Sequence, residues 1–190
     1  MGTLPTVSLG KTGKQLSRYG LGGFHQLEIS AEIVEQVVDA FLAEGGNYIE
    51  TARGYGRGAS EDKIGRALQG RRDQVTLCTK TGAKTADEAR RELELSLTEL
   101  RTDHVDFCLF HGIGEGEMDK VTAKGGALEG LQKAIDEGLV GGLGSQLSQI
   151  TFDTSNESFL HHTDPTLVAY NEFRRQFGRD DLVIIAIEPE

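Results

Sequence analysis

The run VTLCTK, at residues 75–80, is followed by a helical pattern and then by a second apolar run, HVDFCLFH, at residues 104–111. Similar runs begin near Arg18, Asn47 and Leu139, so successive starts lie roughly 30 residues apart, the length of one strand–helix–strand unit. Strands that alternate with helices at this period pair in parallel and are covered by those helices. The pattern therefore predicts an α/β fold, either an open doubly wound sheet or a closed (β/α)8 barrel of the TIM-barrel type.

Four of the intervals between these runs carry helix start and stop signals. The first predicted helix begins after Ser30 and ends at Gly45, and the second begins after Ser60 and ends at Gly70. The third begins at Thr85, which has capping-box spacing to Glu88, and the fourth covers residues 127–138. Ahead of the first unit, residues 7–20 predict a β-hairpin that turns at residues 11–13 and caps one end of the sheet.

The chain of 190 residues is long enough for one domain but shorter than the roughly 250 residues usual in an eight-unit barrel. After Gly144 the regular pattern fades, and only residues 167–170 and 182–187 predict further strands. We therefore expect a single domain over residues 1–190, an incomplete barrel of about six or seven strands, and a divergent part at residues 145–190.

The composition limits the classes of partner. Thirty acidic against twenty basic residues give a net charge of −10, the wrong sign for neutralising nucleic-acid phosphates or lying on anionic lipid. No apolar run approaches the roughly 20 residues that span a bilayer, and the N-terminus lacks a secretion signal. We therefore expect a cytoplasmic protein that binds neither nucleic acid nor membrane.

The cysteine and histidine residues do not indicate a metal site. Cys78 and Cys108 each lie inside an apolar run, where a thiol behaves as a small hydrophobic side chain. His25, His161 and His162 belong to no cluster of cysteine, histidine or carboxylate with the spacing of metal ligands. We expect no metal, no disulfide and no iron–sulfur cluster.

Polar side chains stand at the C-terminal ends of three consecutive predicted strands. They are Glu50 with Tyr55 just beyond it, then Lys80, then His111. In parallel α/β folds these ends meet on the face where ligands bind. A carboxylate that holds an ammonium, a phenol beside that ammonium, and an imidazole suit proton transfer to a developing alkoxide. These four residues are therefore the candidate catalytic group.

Other interpretations of the same region stay open from the residues alone. Lys80 also suits a Schiff-base lysine of a barrel lyase, or an ordinary surface lysine at a strand end. Residues 54–59 fit a G-x-G-x-x-A dinucleotide fingerprint loosely, because Lys80 stands where that motif expects an acid. We favour a tight turn around Tyr55 as the role of these glycines. His104 opens its strand at the opposite end, where residues serve stability.

Five stretches of the sequence resemble the aldo-keto reductase family in their order and spacing, over roughly residues 7–144. They are LGKTGKQLSRYGLGG, NYIETARGYGRGASEDKIGRAL, LCTKTGAK, FCLFHGI and GGALEGLQKAIDEGLVGGLG. The subgroup most resembled often carries a ferredoxin-like iron–sulfur extension, for which this sequence shows no counterpart. The resemblance implies a (β/α)8 barrel that binds NADPH across the C-terminal ends of its strands and transfers a hydride to a carbonyl.

The resemblance also implies a role for each member of the candidate catalytic group. Tyr55 would be the general acid, Lys80 the cation that makes the phenol more acidic, and His111 the residue that orients the carbonyl. Glu50 would pair with Lys80. The family has aspartate at this position, and glutamate is one methylene longer.

Cofactor contacts are expected from Gly22 and Gly23 after the first strand, from Glu50, and from Ser145 and Gln146 after the fifth. Glycines let a cofactor approach the backbone closely, and they equally serve to turn the chain. The family has a Ser-Asn or similar pair at the position of Ser145 and Gln146. Its eighth strand and the loop that holds the adenosine phosphate have no counterpart in this sequence.

Two functions from different classes follow. The first is an NADPH-dependent oxidoreductase that reduces a small aldehyde or ketone, with Tyr55 as general acid. The second is a truncated, non-catalytic reductase-like scaffold or binding domain. An open barrel edge would expose unpaired backbone groups, which favour self-association or the binding of a partner.

Overall fold

A computed structural model of the chain describes residues 4–113 and 116–143. The strands are β1 (Thr6–Ser8), β2 (Gln15–Ser17), β3 (Leu21–Gly22), β4 (Tyr48–Glu50), β5 (Thr76–Thr81), β6 (Val105–Phe110) and β7 (Val140–Leu143). The helices are α1 (Ala31–Ala43), α2 (Ala59–Ala67), α3 (Ala86–Leu100), α4 (Met118–Thr122) and α5 (Ala127–Asp136). Short 3-10 turns cover His25–Glu28, Tyr55–Gly58 and Arg72–Gln74.

The strands β3 to β7 form one parallel sheet in chain order. At least one helix lies between each strand and the next, and α1, α2, α3 and α5 pack against their neighbours in sequence. The register places Gly22 opposite Glu50, Glu50 opposite Cys78, and Lys80 opposite Leu109. All five predicted strands of the repeat are thus confirmed, together with the parallel α/β class.

The predicted helix starts are confirmed for α1, α3 and α5, which begins at Ala127 as predicted, and the predicted start is wrong for α2. The Ser30 hydroxyl accepts a hydrogen bond from the Ile33 amide at the start of α1, and Thr85 and Glu88 form a complete capping box on α3. Ser60, however, lies inside α2, whose first residue is Ala59. The Ser60 hydroxyl instead donates 2.8 Å to the Gly23 carbonyl, which ties the helix to the end of β3.

The core lies between the sheet and the helices. Its largest fully buried aliphatic side chains come from the helices on one side and from the strands on the other: Val34, Val38, Ile49, Ile64, Leu77, Leu93, Leu100, Val105, Val121, Leu131 and Val140. Each such burial contributes about 1.5–3 kcal/mol. Cys78 and Cys108 are both buried free thiols, and Cys108 belongs to this core; burial raises the pKa of Cys108 to about 12.

The hairpin of β1 and β2 packs at the N-terminal ends of the parallel strands. Leu9 and Leu16 are buried, and the Ser17 amide donates 2.7 Å to the Asn47 side chain just before β4. Lys14 forms a 2.6 Å ion pair with Asp106, the second residue of β6. These contacts confirm the predicted hairpin and its position at one end of the sheet.

Over residues 4–113 and 116–143, no helix is both long and apolar enough to cross a bilayer. The same ranges contain no group of three or more histidine, cysteine or acidic side chains placed to hold a metal ion. Ser145, Gln146 and the predicted divergent part at residues 145–190 lie outside the described residues.

Candidate active site

The four predicted catalytic residues lie together at the C-terminal ends of β4, β5 and β6. Glu50 is the last residue of β4, Lys80 lies near the end of β5, and His111 follows β6 directly. Backbone hydrogen bonds extend the parallel ladder past the strand ends, from the Arg53 amide to the Lys80 carbonyl at 3.0 Å and from the His111 amide to the Thr81 carbonyl at 2.8 Å. The loops that carry the side chains are therefore fixed to the sheet.

Lys80 is the centre of the cluster. Its ammonium donates one hydrogen bond to Glu50 Oε1 and another, of 2.9 Å, to the Tyr55 hydroxyl. The Lys80 and Glu50 side chains are only 12 % and 10 % exposed, so the pair is screened little by water. The extra methylene of glutamate at position 50 therefore leaves the ion pair intact.

The electrostatics of Lys80 keep it charged. Burial by itself would lower the pKa of Lys80, but the charge and hydrogen bond of Glu50, assisted by Tyr55, outweigh burial and raise it. A Schiff-base lysine needs a neutral amine to attack a carbonyl. The raised pKa therefore disfavours the lyase interpretation and suits a permanent hydrogen-bond donor to Tyr55.

Aromatic rings enclose Tyr55 on two sides. The His111 ring meets it edge to face with centroids 5.3 Å apart, and the Phe24 ring does so at 5.2 Å. Burial, and then the nearby Lys80 charge, lower the pKa of His111 despite the opposing charge of Glu50. His111 is therefore a neutral imidazole near pH 7, with one N–H to donate.

The loop after Tyr55 turns through three consecutive residues with positive φ. Gly56, Arg57 and Gly58 have φ values of 60°, 55° and 100°. Glycine adopts this region freely, whereas a non-glycine residue such as Arg57 is strained there at a cost of about 1–3 kcal/mol. The guanidinium of Arg53 donates to the Arg57 carbonyl and holds the strained turn. The interpretation of these glycines as a tight turn around Tyr55 is confirmed.

The two glycines after β3 differ in their surroundings. A Cβ at Gly22 would meet no atom within 4 Å, so this position faces open space. A Cβ at Gly23 would lie 2.6 Å from the Ser60 hydroxyl and 2.9 Å from that of Thr51, so packing alone requires glycine there. As cofactor contacts, both remain predictions.

A second pair of charges, which was not predicted from the sequence, lies beneath this cluster. Arg53 Nη1 lies 2.9 Å from Glu61 Oε2, and the Glu61 side chain is completely buried. A signal was present, because Glu61, Ile64 and Leu68 share one face of α2, and a carboxylate on an apolar face needs a partner.

Phe24 was also missed, since nothing in the sequence marks which loop side chain reaches across to Tyr55. It is 50 % exposed, and its ring also contacts that of His25 at 5.4 Å. His104, by contrast, lies at the start of β6 with Asp103 as its partner at 2.7 Å, away from the cluster as predicted.

Comparison with known proteins places this geometry in context. The model of the aldo/keto reductase family matches residues 18–170. The aldo-keto reductase YhdN of Bacillus subtilis is 31 % identical in a match that covers 90 % of this chain and 55 % of YhdN.

Two solved structures are similar in fold. An aldo-keto reductase from Klebsiella pneumoniae in complex with NADPH is 28 % identical with a TM-score of 0.63, over 74 % of this chain and 48 % of that one. The holo form of an aldo-keto reductase from Bacillus halodurans is 25 % identical with a TM-score of 0.64, over 74 % and 49 %. The parallel sheet is thus of the (β/α)8 barrel type, and the chain spans about half the length of these relatives.

Proposed function

This chain belongs to the aldo/keto reductase family, and from that membership and the geometry of Glu50, Tyr55, Lys80 and His111 we propose that it is an NADPH-dependent oxidoreductase that reduces a small aldehyde or ketone. The proposal covers the activity, the cofactor, the substrate class and the role of each residue. Its main support is the contact between Lys80 and Tyr55.

That contact orients the proton of the phenol. Lys80 Nζ donates 2.9 Å to the Tyr55 oxygen, so this oxygen acts as the acceptor and its own proton is left to donate elsewhere. Glu50 holds the ammonium in place from its other side. Tyr55 is therefore arranged to give a proton to a substrate oxygen as negative charge develops there, with Lys80 stabilising the phenolate that remains.

His111 would orient the substrate. Its ring lies edge to face against Tyr55, so a carbonyl oxygen that accepts from the phenol lies within reach of the imidazole. Because its pKa is lowered, His111 donates a hydrogen bond without bringing a second full charge next to Lys80. Two donors would then converge on one oxygen, which is the arrangement that stabilises an alkoxide.

The surroundings of the cluster fit a nicotinamide cofactor. The open space at Gly22, on the strand next to Glu50, admits a planar group close to the backbone. NADPH, when bound, supplies the hydride that adds to the carbonyl carbon. We propose Gly22, Gly23 and Glu50 as contacts to it, with Ser145 and Gln146 as further contacts outside the described residues.

The proposal is tested by following the absorbance of NADPH with a panel of reactive aldehydes, ketones and quinones. We expect turnover by the parent protein and a loss of about 100-fold or more in Tyr55→Phe, since a positioned general acid contributes this much. Tyr19→Phe is the matched control, because the same hydroxyl is removed from a side chain that is 67 % exposed. A melting curve with and without NADPH shows whether each variant still binds the cofactor.

Two results would contradict the proposal. Equal rates for Tyr55→Phe and Tyr19→Phe would remove Tyr55 from the chemistry. A parent protein that neither turns over any carbonyl nor melts at a higher temperature with NADPH would favour the non-catalytic scaffold. Self-association through an open edge stays a prediction, since the chain after Leu143 is outside the described residues.

A further inference from the structure

A buried network lies under the cluster, on the helix side of the sheet. Glu61 Oε1 accepts 2.7 Å from the Thr79 hydroxyl, and Ser96 of α3 also hydrogen-bonds the carboxylate. Glu61 Oε2 lies 2.9 Å from Arg53 Nη1. The two atoms form an ion pair, but their geometry is not that of a hydrogen bond. The carboxylate is thus anchored by β5 and α3 and presents its charge to the loop after β4.

Arg53 connects this anchor to the loop that carries Tyr55. One side of its guanidinium faces Glu61, and Nη2 donates to the Arg57 carbonyl. The guanidinium also fills the space beside Gly58, where an added Cβ would clash with Arg53 Nη2. The turn over residues 55–58 is therefore built around the Arg53 side chain.

The backbone of Arg53 is fixed as well. Its amide donates to the carbonyl of Lys80, the residue whose ammonium contacts the Tyr55 hydroxyl. Tyr55 begins its strained turn two residues later, and the Tyr55 amide donates 3.0 Å to the Ala52 carbonyl. Arg53 thus links Lys80 to Tyr55, and the distance between these two residues determines the direction of the phenol proton.

We propose that Arg53 and Glu61 are positioning residues for Tyr55, in which Glu61 fixes the Arg53 guanidinium and Arg53 holds the turn that aims the phenol at Lys80. This inference rests on the proposed role of Tyr55 as proton donor. A purely structural pair would stabilise the fold without changing the environment of this one phenol, which gives the inference its test.

The test compares Arg53→Met with Arg72→Met in the full chain. Arg72 is the matched control, because it also pairs with a carboxylate of low exposure, that of Asp106 at 2.8 Å, at the opposite end of the sheet. Tyrosine labelled with carbon-13 at Cζ gives one resonance for each of the four tyrosines, and Tyr55→Phe identifies the resonance of Tyr55. The chemical shift of the Tyr55 resonance is measured in each variant, together with kcat and KM for the reduction of a carbonyl.

We expect Arg53→Met to move the Tyr55 resonance and to lower kcat by roughly tenfold or more, since small misplacements of a reacting group cost this much. KM should change little. Arg72→Met should leave the Tyr55 resonance and kcat in place. Arg53→Lys, which keeps a cation beside Glu61 but lacks the forked guanidinium, should be intermediate.

The inference is overturned if the Tyr55 resonance stays unchanged in Arg53→Met, or moves equally in both variants. If Arg53→Met does not fold, Arg53→Lys is used instead. A shifted Tyr55 resonance in Arg53→Lys supports the inference, and an unchanged one overturns it. The chemical shift of Tyr55 is measured without any reaction taking place. If the parent protein reduces no carbonyl, the proposed function is wrong, but the effect of Arg53 on Tyr55 can still be measured.

Discussion

Two arginine–carboxylate pairs with little exposure to solvent lie at opposite ends of the parallel sheet, and their carboxylates have different surroundings: the Glu61 side chain is completely buried, whereas that of Asp106 is 11 % exposed. Arg53 and Glu61 lie under the C-terminal ends of the strands, beside Tyr55. Arg72 and Asp106 lie at the N-terminal ends, where the hairpin packs. In each pair the arginine side chain is nearly buried, at 13 % and 16 % exposed.

The carboxylate at the N-terminal end is fully compensated. Burial would raise the pKa of Asp106, but hydrogen bonds from Lys14, from the Leu77 amide and from Arg72 outweigh it and hold that pKa below its usual value. Lys14 and Arg72 donate 2.6 and 2.8 Å to its two oxygens. Asp106 therefore stabilises the folded chain in its ionised form.

The carboxylate at the C-terminal end is not fully compensated. Burial raises the pKa of Glu61, and the hydrogen bonds of Ser96 and Thr79 with the charge of Arg53 offset this only in part. An ionised Glu61 thus costs stability where Asp106 adds it. The comparison indicates that the pair at the N-terminal end stabilises the fold. At the C-terminal end, the Glu61 carboxylate lowers stability when it is ionised, but it holds Arg53 in position.

The largest effect that would break this comparison is on catalysis. Lys80→Met removes the donor to the Tyr55 hydroxyl, and we expect kcat for carbonyl reduction to fall by about 10² to 10⁴-fold. Lys14→Met, which removes an ammonium from Asp106 at the other end, should leave kcat unchanged. Steady-state kinetics with NADPH measure both. If Lys80→Met and Lys14→Met lowered kcat equally, the catalytic function would not be confined to the C-terminal ends of the strands.

A smaller effect concerns stability. Arg72→Met leaves the partly buried Asp106 with one cation, and we expect the free energy of unfolding to fall by about 1.5–3 kcal/mol, as for the loss of a hydrogen bond to a charged group. Urea denaturation measures the loss, with the exposed surface pair of Arg90 and Glu94 as reference. Arg90→Met should cost less than about 1 kcal/mol. If the two substitutions cost the same, Arg72 is not part of a stabilising network.

The smallest effect is on the pH dependence of stability, and its sign should differ between the ends. The pKa of Asp106 is lowered in the folded chain, so its contribution is present above the unfolded value of about 3.9 and is lost as pH falls through the folded pKa. The pKa of Glu61 is raised, so stability falls as pH rises from about 4.3 through the folded pKa.

Urea denaturation over a pH series separates the two carboxylates. Asp106→Asn should flatten the loss of stability in acid, whereas Glu61→Gln should remove a decline at higher pH. A change of the same sign in both variants would contradict the contrast between the two ends.

The repeat of strands and helices was predictable because it rests on local patterns. Apolar runs, the Ser30 cap and the capping box of Thr85 with Glu88 are all readable within a few residues. Ser60 was misplaced because its hydroxyl has a distant partner, the Gly23 carbonyl, which competes with a role at the helix start.

The candidate site was predictable only in part, for a similar reason. Glu50, Lys80 and His111 follow from the rule that parallel strands end on one face, so their meeting needed only the fold. Arg53 lies in the loop after β4, and its partner Glu61 lies in the next helix, α2. Their contact depends on how α2 packs against β5, which no local pattern determines. Phe24 reaches Tyr55 across a loop whose path no local pattern determines.

Neighbouring residues of β5 serve opposite sides of the sheet. Thr79 faces the helix layer and donates to Glu61, while Lys80 faces the cluster and contacts Glu50. A slip of β5 by one residue would exchange the two, because side chains alternate along a strand. The ammonium would then enter the helix layer and Glu50 would lose its counter-charge. The ion pair between Lys80 and Glu50 thus also favours the observed register of β5 over one shifted by a single residue.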